Sequence, residues 1–158
     1  MNVLPRIQKI IDIFTEKKIS IAIAESCTGG YICHIFTNIS GASNVFERGV
    51  VSYSNAAKIE FLNVDAEVIE EYGAVSENVA EQMARNIREI SKVDIGIGIT
   101  GIAGPTGGSK EKPVGLVYIG FSTERKTIIE KRIFNTDRIK FKKKVLNVVL
   151  TYLEKIGQ

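Results

Sequence analysis

The chain reads as an α/β protein, a layered α/β/α sandwich around a mixed, partly parallel sheet. Three observations predict this. Helical and extended patterns alternate along most of the chain. The run Ile19 to Ala24 is short, apolar and β-branched enough to be a buried strand. Near the end, two strand patterns flank Glu124-Arg125-Lys126, a segment that suits an antiparallel hairpin.

Each element follows from its own pattern. Pro5 sits where a first helical turn tolerates it, and Ile7, Ile10, Ile11 and Phe14 form one apolar face of a helix reaching about Lys18. The strand Ile19 to Ala24 leads into Glu25-Ser26-Cys27-Thr28-Gly29-Gly30. Ile32, Ile35, Phe36 and Ile39 then fall at helical spacing, which predicts a helix from near Thr28 to about Asn38. A turn-rich connection, Ser40 to Asn44, precedes an extended run from Phe46 to Ser54. Asn55 to Leu62 can form a short helix with Asn55 as its cap, and Ala66 to Tyr72 a further turn or two. Ser76 caps a longer helix, with Val79, Ala80, Met83, Ala84, Ile87 and Ile90 on the buried side and Glu77 complementing the dipole.

The next strand, Val93 to Thr100, alternates isoleucine with glycine. One face is therefore bulky, and the other admits close approach of a helix or ligand. It opens into the glycine-dense loop Gly101 to Gly108. Val114 to Phe121 and Ile128 to Phe134 are further strands, and Asp137 caps a last helix with Val145, Leu146, Val149, Leu150 and Leu153 toward the core.

At 158 residues the whole chain, 1–158, is expected to form one domain. With 44% hydrophobic and 25% charged residues, it has an ordinary globular composition. A net charge of +3 does not by itself call for nucleic acid and suits a small anionic substrate equally. Cys27 and Cys33 form neither a CxxC pair nor, with the single His34, a zinc site; no metal and no cofactor are expected. The absence of a long apolar run and of a signal-peptide core leads to the expectation of a cytoplasmic protein without membrane contact.

The chemistry concentrates at Ser26 to Gly30. A strand-to-helix turn lets backbone N–H groups converge on an anion or an oxyanion, and a hydroxyl there can attack a carbonyl if a base stands nearby. The alternative is that Thr28 merely caps the helix and the glycines ease a tight turn. His34 lies within the following helix and suits a packed or half-exposed histidine better than a catalytic triad. Lys58, among apolar neighbours and five residues after Tyr53, is a candidate base with its ammonium destabilised by burial; it fits a solvated helix lysine as well. Gly101 to Gly108 has neither P-loop nor dinucleotide-binding spacing. Thr100, at a strand's end, can line a site with that loop. Arg138 can grip phosphate bidentately, whereas Lys142-Lys143-Lys144 fits a solvated helix face.

These stretches together resemble the CinA C-terminal domain family, whose stand-alone members include nicotinamide-nucleotide amidases. The matching segments are Ala24-Glu25-Ser26-Cys27-Thr28-Gly29-Gly30, Gly49 to Asn55 with Lys58, Tyr72 to Ser76, Thr100 to Pro105 and Lys112 to Val117. The resemblance implies hydrolysis of the carboxamide of nicotinamide mononucleotide to nicotinate mononucleotide and ammonia, with Ser26 as nucleophile, Lys58 as base and Tyr53 as assisting hydroxyl. It implies that Thr28, Gly29, Gly30, Thr100, Gly101, Gly104, Arg138 and Lys142 serve the substrate, and that the protein self-associates. Thr136-Asp137-Arg138 stands where the family often has Gly-Asp-Arg, Lys142 replaces a second arginine, and Thr106 a loop glycine. A catalytically silent binding domain, or a hydrolase for another small amide or ester, would use the same segments.

Overall fold

A computed structural model describes residues 2–158; Met1, the first residue of the N-terminal stretch read above, lies outside them. The element order is α1 (Leu4–Lys17), β1 (Ile21–Glu25), α2 (Tyr31–Thr37), a 3-10 turn (Ala42–Asn44), β2 (Phe46–Val51), α3 (Asn55–Leu62), α4 (Ala66–Tyr72), α5 (Glu77–Ser91), β3 (Ile95–Gly101), β4 (Leu116–Ser122), β5 (Thr127–Ile133) and α6 (Arg138–Gly157). The five strands form one sheet in the order β2-β1-β3-β4-β5. β1 is parallel to both β2 and β3, while β4 and β5 pair antiparallel. The α/β class expected from sequence is the class observed.

Alternation of residue size assigns the two faces. Ile21 and Ile23 of β1, Ile95, Ile97 and Ile99 of β3, and Ile119 and Phe121 of β4 join a core with the apolar faces of α1, α2 and α6. The opposite face carries Ala22 and Ala24, which pack with Leu62, Ile69, Val79, Met83 and Ile87 from α3, α4 and α5. Small residues on this side let α5 lie almost on the sheet backbone. A Cβ added at Gly98 would stand 2.5 Å from the Ala84 amide nitrogen and 2.7 Å from Met83 Cβ. The space opened by the isoleucine–glycine alternation is thus taken by a helix. Gly98→Ala must push α5 off the sheet, an overpacking expected to cost about 3 kcal/mol. For a domain of this size that lowers the melting temperature by roughly 10 °C, measurable by thermal denaturation.

α5 and α6 start at side-chain caps. Ser76 Oγ accepts from the Val79 amide, and Asp137 accepts from the amides of Ile139 and Lys140. Four expectations need correction. Ser54, not Asn55, caps α3, because its hydroxyl accepts from the Ala57 amide at 3.0 Å. Ile90 is 38% exposed, since the α5 stripe that meets the sheet ends at Ile87 and Ser91. The helix after Ser26 begins at Tyr31 rather than near Thr28, and Thr28 does not cap it: Gly30 occupies the N-cap position with φ 91°. The extended run from Phe46 also stops being a strand at Val51, leaving Ser52 and Tyr53 in a connection that bends toward β1.

Candidate active site

The strand order places the site. β1 sits between β2 and β3: the chain leaves β1 for β2 on one side, and the next connection crosses from β2 to β3 on the other. In open α/β sheets, ligands gather at such a switch point beyond the strands' carboxyl ends. Here that point is the end of β1, where Ser26 follows Glu25. The Ser26 amide donates to Ile99 O of β3 at 3.0 Å, and Glu25 O accepts from the Ser52 amide after β2 at 2.8 Å. Both neighbouring strands therefore fix the backbone that carries the Ser26 hydroxyl.

Lys58, one turn into α3, reaches this hydroxyl. Its Nζ lies 2.9 Å from Ser26 Oγ, 3.0 Å from Ser52 O and 3.4 Å from Tyr53 O. The residue is 1% exposed. No carboxylate forms an ion pair with it among the described residues. Burial without a counter-charge lowers the pKa of its ammonium below the ordinary lysine value. As an ammonium, Lys58 donates to all three oxygens. As a neutral amine it keeps two N–H groups for the two carbonyls and turns its lone pair to the Ser26 hydroxyl proton. This is the arrangement required of a base that activates a serine.

The pair opens into a cleft of about 340 Å³. Ser26, Cys27, Tyr53, Asn55, Lys58, Thr100, Gly101, Gly104, Thr106 and Arg138 are among its lining residues. Thr100, at the end of β3, donates from Oγ1 to Ala74 O at 2.8 Å and so ties the segment before α5 to the glycine-rich loop. Arg138, the first residue of α6, donates from Nη1 to Gly104 O at 2.6 Å and from Nη2 to the Tyr53 hydroxyl at 2.9 Å. The Tyr53 phenol is 60% exposed and directed at Arg138; it is the Tyr53 carbonyl that bears on Lys58. Because the phenol oxygen accepts from Arg138, its own proton stays available to a cleft ligand.

Four of the residues expected to serve the substrate lie outside the cleft lining. Thr28 is fully buried, and its hydroxyl has no partner. Gly29 and Gly30 form the left-handed part of the turn, with φ 62° and 91°. Lys142 lies on α6 with its Nζ 3.7 Å from where a Cβ on Gly29 would stand, alongside the turn. His34 is exposed on α2, with a ring nitrogen 3.4 Å from the Asn38 amide. Asn55 is a lining residue the sequence reasoning did not select. Its signal was helical spacing, since it lies three residues before Lys58 and hence on the same face.

The amides of the turn are divided. Those of Gly30, Ile32 and Cys33 donate to the Glu25 carboxylate, at 3.1, 3.2 and 2.8 Å. The amide of Gly29 donates to Ser26 O. Among the described residues, the amides of Cys27 and Thr28 have no acceptor. Burial pushes the Cys27 thiol up to about 12, with the Glu25 charge acting in the same direction. A second groove of about 370 Å³ runs between β5 and α6 past Arg132, Lys144 and Tyr152, and no lysine in its lining is bonded to a hydroxyl.

Comparison with known proteins places this geometry. Residues 5–156 match the model of the CinA C-terminal domain. The chain belongs to the CinA C-terminal domain family. A relative from Thermoanaerobacter pseudethanolicus, named a competence-damage inducible protein, is 47% identical over 148 residues, covering 91% of the chain. One from Moorella thermoacetica with the same name is 51% identical over 126 residues, covering 80%. The CinA chain described here spans only 36% and 30% of those two relatives' lengths. Among solved structures, the competence/damage inducible protein CihA from Agrobacterium tumefaciens superposes with a TM-score of 0.94 at 36% identity, covering 99% of this chain and 96% of that one. A CinA superfamily protein from Escherichia coli gives 0.93 at 26% identity, covering 98% and 90%. No helix among the described residues is long and apolar enough to cross a membrane.

Proposed function

We propose that this CinA domain hydrolyses the carboxamide of nicotinamide mononucleotide, giving nicotinate mononucleotide and ammonia through an acyl-enzyme on Ser26. The observation that carries the reading is the buried 2.9 Å contact between Ser26 Oγ and Lys58 Nζ at the mouth of the cleft. A silent binding domain has no need of a lysine held out of water against a serine.

In this mechanism neutral Lys58 takes the Ser26 proton as Oγ attacks the carboxamide carbon. The carbonyl oxygen gains negative charge beside the unpaired amide of Cys27, which lines the cleft; a donor in such a place contributes on the order of 3 kcal/mol. Lys58, now an ammonium, returns the proton to the departing nitrogen, and Tyr53 can add its phenolic proton to that relay. Water, losing a proton to Lys58, then attacks the acyl carbon and releases the carboxylate and the Ser26 hydroxyl. Arg138, already spanning Gly104 and Tyr53, supplies positive charge at the cleft for the phosphate.

The test is ammonia and nicotinate mononucleotide formation from nicotinamide mononucleotide by the purified protein. Both products in equal amounts support the reading. Binding without turnover replaces it with a silent nucleotide-binding domain. The rival nucleophile is Cys27, whose thiol is buried and held far from ionisation. Cys27→Ala is expected to keep close to wild-type turnover in the same assay, and an inactive but folded variant would move the nucleophile from Ser26 to Cys27.

A further inference from the structure

Among the described residues, Glu25 is the one acidic side chain in the interior of this fold, with 0% exposure. Burying a carboxylate is expensive unless hydrogen bonds satisfy it. Both oxygens are satisfied, and entirely by one helix start: Oε1 accepts from Cys33, and Oε2 from Gly30 and Ile32. A serine or aspartate at the N-cap would have served α2 alone with less burial. The N-cap position instead holds Gly30, and the capping group arrives from five residues upstream, across the turn that contains the nucleophile.

We propose that Glu25 is a positioning residue for the nucleophile, its side chain closing the Ser26–Gly30 turn onto α2 so that the Ser26 hydroxyl and the free Cys27 amide keep one fixed relation. The proposal rests on Ser26 being the attacking group. Glu25 O is pinned to Ser52, the Ser26 amide to Ile99, and the Glu25 carboxylate to α2, so the turn is held at three points, by the connection after β2, by β3 and by α2. Glu25 touches no substrate; it acts by excluding other arrangements of the turn.

Two variants test this. Glu25→Gln keeps the shape but offers one acceptor oxygen and turns an NH2 group on the remaining amide donors. Glu25→Asp keeps both oxygens and withdraws them by one methylene. A displacement of this kind lowers kcat by about 100-fold for Gln and less for Asp, with KM changed by no more than about two-fold. Labelling of Ser26 by an alkyl fluorophosphonate, which needs the activated hydroxyl but not the natural substrate, should slow in parallel. Phe36→Leu is the control, because Phe36 is fully buried on α2 and is not itself a partner in the Glu25 hydrogen bonds. It should lower the melting temperature while labelling at the wild-type rate. The proposal is overturned if Glu25→Asp and Glu25→Gln label like wild type, or if their labelling falls only as far as Phe36→Leu lowers it at equal loss of stability. A wild-type protein that labels at Ser26 but releases no ammonia from nicotinamide mononucleotide would overturn the substrate and leave the Glu25 comparison standing.

Discussion

Ser26→Ala will fold to the wild-type melting temperature and release ammonia from nicotinamide mononucleotide at least roughly 1,000-fold more slowly than the parent protein. The change removes one oxygen from a 7% exposed side chain whose backbone remains bonded to Ile99, so the turn keeps its shape. It also leaves Lys58 with its two carbonyl partners. Side-by-side ammonia release and thermal unfolding check both halves. Turnover within a few-fold of wild type would reject Ser26 as nucleophile while keeping the reaction.

Lys58→Met should be equally inactive, for a different reason: the nucleophile is present but nothing accepts its proton. The pH dependence separates the two roles. Lys58 must be neutral to act, so wild-type kcat/KM should rise with pH through a single ionisation below the ordinary lysine value of 10.5. The same group affects stability, with the sign set by burial. Lys58 binds its proton less tightly when folded, so between its lowered value and 10.5 the unfolded chain holds more protons. In that window this contribution to stability grows as pH rises, and below the folded value the penalty for burying the ammonium is fully present. Across that range, denaturation curves should show wild type gaining stability relative to Lys58→Met, while the opposite contribution of the Cys27 thiol is common to both. Parallel curves would mean that Lys58 is not a desolvated base.

Fold and site differed in how far they could be read from the residues. Strands and helices whose burial shows in their own periodicity were legible. The isoleucine–glycine run is β3, Ser76 and Asp137 cap α5 and α6, and the two last strands form the expected hairpin within a residue or two at each end. The proximity of Ser26 to Lys58 became readable only through resemblance, because 32 residues separate them and no local pattern encodes a long-range contact. The start of α2 was misread for an instructive reason. Capping rules look for an acceptor at the helix's own first residue, and here the acceptor is Glu25, across a five-residue turn. The available signal was an acidic residue closing an otherwise apolar strand. Tyr53 shows a similar limit: its position was visible, but whether its phenol or its carbonyl meets Lys58 depends on the bend after Val51.

Ser26 follows β1, while Lys58, Thr100 and Arg138 stand on α3, β3 and α6, so the site is drawn from most of the chain's length. An intermediate with β1, its turn and α2 in place would own a serine but no amine, and one lacking a docked α6 would have no guanidinium to span Gly104 and Tyr53. The proposed hydrolysis is therefore an all-or-none property of the assembled domain. Its return during refolding would mark the final docking event and serve as an assay of completeness that secondary structure alone cannot provide.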